Sequence, residues 1–89
     1  MNCNEITIRN KLGMHARASA KFVTLATTYK CDITLTRNGQ QVNGKSIMGI
    51  MMLAASAGSH INICAEGHDE KEAINALSEL VISGFGEKE

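Results

Sequence analysis

A histidine and an arginine two residues apart, His15 and Arg17, are the residues of this 89-residue chain whose types and spacing indicate chemistry. Before them the sequence alternates polar and apolar side chains, whereas residues 16–29 lack glycine and proline and space apolar side chains three and four residues apart. His15 therefore falls at the predicted start of a helix, where unpaired N–H groups and the helix dipole favour a phosphate. A nucleophilic imidazole there indicates phosphoryl chemistry. An ordinary cap or a solvent-exposed side chain is the alternative that these residues alone leave open.

The hydropathy pattern predicts one domain, residues 1–89, with the element order βαββαβα. The predicted strands span residues 3–9, 31–36, 40–43 and 60–66, and the predicted helices span 16–29, 47–53 and a last segment after position 69. Each strand has one polar face, so one side of the sheet contacts water and the other contacts helices. We therefore expect an α+β fold, an open-faced two-layer sandwich with three helices on one face of a four-stranded antiparallel sheet.

Short local signals mark the ends of several elements. Asn38-Gly39 predicts a type I′ hairpin turn, Ser46 is a predicted N-cap, and Asp69 with Glu72 matches a capping box. Gly84 is expected to cap the end of the last helix, and residues 86–89 are expected to fray. In the first helix the predicted inward residues are Ala16, Ala20 and Val23, with Phe22 and Ala26 as further candidates.

Composition excludes several classes of protein. Cys3, Cys31 and Cys64 are odd in number and form no CxxC pair, so we expect reduced thiols in a reducing compartment. No apolar run approaches the roughly 18 residues of a membrane span, and the N-terminal residues lack the pattern of a signal peptide. We therefore expect a cytoplasmic protein without membrane insertion. Three aromatic residues and no run of Lys or Arg argue against nucleic acid as a partner.

The charges are unevenly distributed along the chain. Seven basic and two acidic residues up to Lys45 give a net charge of +5, and two basic and seven acidic residues from Ser46 onward give −5. This asymmetry predicts a basic face around the first helix that attracts a phosphate or an acidic protein partner. Ordinary solvent-exposed faces are the alternative.

Residues 39–46 match the P-loop expression G-x-x-x-x-G-K-[ST], which makes a nucleotide-binding enzyme a rival interpretation. A P-loop follows a buried parallel strand and wraps its backbone amides around phosphates. Here the first glycine belongs to the predicted hairpin, and the next four residues are predicted as a strand, which disfavours a P-loop.

A metal-carrying domain of related layout is a second rival. It would need a thiolate pair where this chain has Met14-His15-Ala16-Arg17. His60 and His68 are distant from His15 in the sequence, and we expect neither a metal nor another cofactor.

Two motifs together point to a known family. Gly13-Met14-His15-Ala16-Arg17 and Asn43-Gly44-Lys45-Ser46-Ile47-Met48-Gly49 occur at the right separation within the βαββαβα pattern. Over essentially its whole length the chain resembles the HPr family, the histidine phosphocarriers of the phosphoenolpyruvate-dependent sugar phosphotransferase system. The resemblance implies a phosphoryl carrier and not a turnover enzyme.

The resemblance also implies roles for individual residues. His15 would accept a phosphoryl group on Nδ1 from phosphorylated Enzyme I and pass it to IIA components of sugar permeases. Arg17 and the N–H groups of Ala16 and Arg17 would hold the phosphoryl group. Ser46 would be a regulatory serine modified by HPr kinase/phosphorylase.

Around the histidine, the resemblance implies an apolar docking patch for protein partners. Its predicted members are Met14, Ala20, Ile47, Met48 and Met51. The helix at 47–53 is apolar on every side, so we expect part of it to be exposed. A monomer is expected.

One residue departs from the family pattern. Many members have proline after the arginine, where this chain has Ala18, which leaves one more backbone N–H near the phosphate site. Leu12 cannot hydrogen-bond the imidazole. Two alternatives remain: the nitrogen-related paralogue of the family, and a regulatory module that binds partners without transferring phosphate.

Overall fold

The computed structural model describes residues 1–87, and these form the predicted βαββαβα order. The elements are β1 (Asn2–Thr7), α1 (Ala16–Ala26), β2 (Asp32–Arg37), β3 (Gln40–Asn43), α2 (Ile47–Met52), β4 (His60–Glu66) and α3 (Glu70–Ile82), followed by a 3-10 turn (Gly84–Gly86). The sheet has the strand order β1-β4-β2-β3, and every neighbouring pair is antiparallel. The helices cover one face, so the predicted two-layer α+β sandwich is confirmed.

The first helix turns a different face to the core from the one that the spacing indicated. Its buried residues are Ala18, Ser19, Phe22 and Ala26. Ala16 is exposed and Ala20 is only partly buried, so the prediction for these two residues was wrong, whereas Val23 is partly buried and packs against the core as predicted. An alanine-rich helix offers more than one stripe of small side chains at four-residue spacing. Complete burial of the Phe22 ring decides between the stripes because it is the largest apolar side chain on the helix.

The hairpin between β2 and β3 settles the P-loop alternative. Asn38 and Gly39 have φ angles of 52° and 81°, as a type I′ turn requires. Residues 40–43 pair with residues 34–37 of β2. Backbone held in a β ladder cannot wrap around a phosphate, and so this segment is not a P-loop.

The predicted capping box at the start of α3 does not form. The Asp69 carboxylate makes no cap bond and instead accepts hydrogen bonds from the N–H groups of Lys30 (2.8 Å) and Cys31 (2.9 Å). Glu70, and not Glu72, reaches back to the N–H of Gly67 at 3.1 Å. The hydrogen bond from the Lys30 N–H is the largest cause that lowers the pKa of Asp69. Asp69 therefore ties α3 to the chain that enters β2.

The chain after α3 folds back over the domain. Gly84 has a φ angle of 71° directly after the C-cap Ser83, so the predicted helix end is displaced by one residue. Gly86 belongs to the 3-10 turn, and the Glu87 side chain is hydrogen-bonded, so these two residues are not frayed. Residues 88 and 89 lie outside the described part of the chain.

Two of the three cysteines form a disulfide, contrary to the expectation of reduced thiols. Cys3 of β1 lies directly opposite Cys64 of β4, with 4.0 Å between their Cα atoms, and the two sulfurs are bonded. Cys31 is a free, buried thiol. The pairing was not visible in the sequence because 61 positions separate two residues that only the sheet register brings together.

Within residues 1–87 no helix has the length and apolar character to span a bilayer. The same residues contain no group of three or more His, Cys, Asp or Glu side chains arranged to hold a metal ion.

The disulfide gives a direct test of the register between β1 and β4. Closing a loop across 61 positions restricts the unfolded chain, so reduction is expected to lower the free energy of unfolding by about 2–4 kcal/mol. Denaturant titrations with and without a phosphine reductant measure this difference. Thiol counting in denaturant should find one reactive thiol before reduction and three after it. Three thiols in protein that was never reduced would contradict the bond.

Candidate functional site

His15 is held at the start of α1 by the loop before it. It is the N-cap residue, with φ −75° and ψ 178°, and its carbonyl accepts the first helical hydrogen bond from Ser19 at 2.9 Å. The preceding residue, Met14, donates its N–H to the carbonyl of Ala55 at 2.8 Å. Gly13 has a φ angle of 67°, and a Cβ there would lie 2.5 Å from the same Ala55 oxygen. Only glycine fits this approach, so the loop presents His15 from a fixed backbone.

The groups predicted to hold a phosphate lie beside His15. Ala16 and Arg17 are the first two residues of α1 and are exposed, and helix geometry leaves their N–H groups without an intrahelical acceptor. No hydrogen bond or ion pair within residues 1–87 engages the Arg17 guanidinium. These residues line an open depression of about 610 Å³. Its lining also includes Leu12, Lys21, Gly86 and Glu87.

A carboxylate that the sequence did not indicate occupies one side of the imidazole. Glu87 Oε2 lies 2.5 Å from His15 Nε2, and its other oxygen accepts a hydrogen bond from Asn10 Nδ2 at 3.0 Å. The hydrogen bond with His15 is the largest cause that lowers the pKa of Glu87, followed by the one from Asn10. Lys21 donates to the carbonyl of Phe85 at 2.8 Å and so holds the same turn. Since Nε2 is engaged, Nδ1 is the ring nitrogen left for chemistry.

Ser46 is the N-cap of α2, as predicted. Its Oγ accepts a hydrogen bond from the N–H of Gly49 at 3.0 Å, and the side chain remains partly accessible. Lys45 directs its ammonium group to the carbonyl of Tyr29, 2.7 Å away. At the other end of the helix, Arg37 donates to the carbonyl of Leu53 at 3.0 Å. Both ends of this six-residue helix are therefore held by side chains.

The exposed part of α2 carries most of the predicted docking patch. Ile47, Met48 and Met51 are 41%, 78% and 44% exposed, while Ile50 is fully buried and anchors the helix. Met52 is 68% exposed and was missed, although it lies four residues after Met48 and so on the same side. Ala20 is partly exposed on α1, which packs against α2.

Met14 does not belong to this patch. It is 5% exposed and packs in the core, and its N–H donates to the carbonyl of Ala55. A buried side chain cannot contact a partner, so this part of the prediction is corrected. We define the docking patch from here on as Ala20, Ile47, Met48, Met51 and Met52.

The described residues combine a four-stranded open-faced α+β sandwich with a histidine at the start of its first helix. A family model described as "PTS HPr component phosphorylation site" matches residues 3–83. Phosphocarrier protein HPr of Pseudomonas aeruginosa is 54% identical over 86 residues, which cover 96% of each chain. The crystal structure of HPr-C-His from Thermoanaerobacter tengcongensis superposes with a TM-score of 0.96 at 46% identity and covers all of both chains. The chain belongs to the HPr family, the phosphocarriers of the phosphotransferase system.

Two further relatives bear on the alternatives. Phosphocarrier protein NPr of Proteus mirabilis is 43% identical over 83 residues, covering 92% of each chain. A structure described as an HPr dimer from Thermoanaerobacter tengcongensis matches with a TM-score of 0.79 and 49% identity, over 92% of this chain and 94% of that one.

The cap of α2 can be tested through stability. Replacing Ser46 with alanine removes the acceptor for the Gly49 N–H and is expected to lower the free energy of unfolding by about 1 kcal/mol. Ser46→Asp retains an acceptor at this position and should lose less. Urea denaturation of the three proteins gives the comparison, and equal stability of Ser46→Ala and the unmodified protein would refute the cap.

Proposed function

We propose that this chain relays a phosphoryl group through a phosphohistidine at His15, from phosphorylated Enzyme I to IIA components of sugar permeases. The observation that carries the proposal is the partly exposed imidazole at the start of α1, where no described residue (1–87) engages its Nδ1 nitrogen or the Arg17 guanidinium two residues away. The protein is a reactant in two transfers and not a turnover enzyme. It acts in the cytoplasm, where these partners operate, and it needs no cofactor.

The chemistry requires that the phosphoryl group be held without being trapped. Arg17 supplies a positive charge, and the N–H groups of Ala16 and Arg17 supply hydrogen bonds at the positive end of the helix dipole. The depression around His15 is open, so two partners can reach the same nitrogen in turn. In such an exposed site water screens these charges, and the phosphoryl group is stabilised only moderately.

The docking patch is proposed as the surface on which both partners bind. It is apolar, next to α1, and formed largely by methionines, whose flexible side chains adapt to different partner surfaces. A monomer is proposed for the working carrier, because partner binding then leaves this face free.

Ser46 is proposed as a regulatory site for HPr kinase/phosphorylase. A phosphate on its Oγ would lie at the start of α2, where the exposed N–H groups favour it. It would also place negative charge directly beside Ile47 and Met48 of the docking patch. Binding of an acidic partner surface would then weaken.

The nitrogen-related paralogue and a regulatory module that does not transfer phosphate remain as alternatives. The higher identity to HPr of Pseudomonas aeruginosa, 54% against 43% for NPr of Proteus mirabilis, favours the sugar-type carrier. The presence of His15 in an accessible position favours transfer over simple binding.

Phosphoryl uptake tests the role of His15. Incubation with phosphoenolpyruvate and Enzyme I is expected to produce one acid-labile, base-stable phosphate, and His15→Ala should abolish it. Arg17→Ala should slow uptake about tenfold or more, because a charged hydrogen-bond donor to the phosphoryl group is lost. Arg9→Ala, a change at an exposed arginine in the loop after β1, is the matched control and should leave the rate unchanged. Labelling of His15→Ala at the same level would refute the assignment.

Partner binding tests the docking patch. Met48→Asp puts a charge where an apolar contact is proposed and should weaken binding to Enzyme I about tenfold or more, measured by calorimetry. Ile82→Asp changes an exposed apolar residue at the end of α3 and serves as the control. Equal losses of affinity in both variants would argue that the patch has no special part in docking.

A further inference from the structure

Glu87 lines the candidate site and contacts His15 directly, and the proposed function gives it no role. We propose that Glu87 is a positioning residue, whose carboxylate keeps the proton of the His15 ring on Nε2 and leaves the lone pair on Nδ1. The same carboxylate balances the positive charge of the ring once Nδ1 carries a phosphoryl group. This inference rests on the proposed function of His15 and assigns a residue that acts through it.

The contacts of Glu87 fix where the ring proton lies. A carboxylate can only accept hydrogen bonds, so the proton between Glu87 Oε2 and His15 Nε2, 2.5 Å apart, belongs to the ring. The pKa of Glu87 is lowered, above all by this hydrogen bond, so the group is ionised at neutral pH. A neutral imidazole has one N–H, and placing it on Nε2 makes Nδ1 the nucleophilic nitrogen.

The buried Asn10 side chain orients the Glu87 carboxylate. Its side chain is 1% exposed, and its Nδ2 donates both to Glu87 Oε1 at 3.0 Å and to the carbonyl of Gly13 at 2.8 Å. Because both neighbours are acceptors, the amide cannot be turned around. Its Oδ1 is left buried without a hydrogen-bond partner, and it is the one such side-chain atom within residues 1–87. Burying this oxygen without a hydrogen-bond partner costs free energy, and the cost falls on the residue that aligns Glu87 with His15.

The turn that carries Glu87 is anchored independently of His15. The Phe85 ring is 1% exposed in the core, and its carbonyl accepts a hydrogen bond from Lys21 of α1 at 2.8 Å. The N–H of Glu87 donates to the carbonyl of Gly84 at 3.1 Å. The backbone that carries the carboxylate is therefore held by packing and hydrogen bonds, and the Glu87 side chain is 14% exposed. Preorganised groups of this kind need little reorganisation when charge develops on the ring.

The transfer balances without any proton leaving the ring. The Nδ1 lone pair attacks the phosphorus of the phosphorylated donor protein, the Nδ1–P bond forms, and the bond from phosphorus to the donor breaks with its electron pair. His15 still carries the proton on Nε2, so the ring becomes cationic and faces the Glu87 carboxylate. Transfer to the acceptor breaks the Nδ1–P bond, returns the electron pair to Nδ1, and restores the neutral ring with the proton on Nε2.

The first test reads the tautomer in the unphosphorylated protein. Nitrogen-15 NMR of the His15 ring should show protonation at Nε2 in the unmodified chain. Glu87→Ala removes the acceptor and should give a mixture of the two tautomers. Glu87→Gln retains an oxygen that can accept from Nε2 and should lie between the two. This measurement does not need phosphoryl transfer, so it reads the positioning role even if His15 never accepts a phosphoryl group.

The second test measures transfer rates from phosphorylated Enzyme I with the same variants. Glu87→Ala is expected to transfer about tenfold or more slowly, the effect of losing one charge-assisted hydrogen bond, and Glu87→Gln should also be slower because it lacks the charge. Glu79→Ala, at an exposed glutamate on α3, is the matched control and should transfer at the unmodified rate. An unchanged tautomer in Glu87→Ala, or unchanged transfer rates in both Glu87 variants, would overturn the assignment. If the unmodified protein takes up no phosphoryl group, the proposed function fails instead.

Discussion

The hydrogen bond from the N–H of Met14 to the carbonyl of Ala55 is the interaction on which the geometry of the site depends. It joins the loop before α1 to the segment between α2 and β4, at a place where Gly13 allows the two backbones to approach closely. Met14 is buried in the core beside this contact, and the next residue, His15, is partly exposed at the surface. An exposed nucleophile on a loop would ordinarily be mobile. Here the backbone before His15 is hydrogen-bonded to Ala55, and the backbone after His15 is helix α1.

The features that the sequence predicted correctly are local. The Asn38-Gly39 turn, the Ser46 cap and the alternation in β4 each depend on residues close together in the chain, so their patterns can be read directly. Features made by distant residues could not be predicted in this way. Cys3 and Cys64 are 61 positions apart, and Asn10 and Glu87 are 77 apart, and only the folded chain brings each pair together. The end of the chain was expected to fray because its polar residues have no periodic pattern, and the contacts that order Glu87 come from residues distant in the sequence.

The second helix shows how a short element can be both stable and largely exposed. Six residues are too few for a helix to be stable by propensity alone, and α2 buries only Ile50 completely. Its remaining stability must come from its ends, where Ser46 caps the first turn and Arg37 binds a terminal carbonyl. Because the ends hold the helix, its apolar outer side chains need not pack inward. They remain available as the docking patch, which the sequence indicated through the family resemblance and through an apolar run with no polar face.

A carboxylate beside a proposed phosphate site raises a question of charge. Placed against Arg17, Glu87 would neutralise the cation that the phosphoryl group needs. The structure avoids this by engaging both Glu87 oxygens elsewhere, one with His15 and one with Asn10. The guanidinium remains unengaged among residues 1–87, and the imidazole ring lies between the carboxylate on Nε2 and the place that a phosphoryl group on Nδ1 would take. When that ring is cationic it separates two negative groups and offsets the repulsion between them, and it becomes neutral again only once the phosphoryl group has passed to the acceptor. The same carboxylate would then help to form the phosphohistidine, because a negative charge beside Nε2 favours the cationic ring.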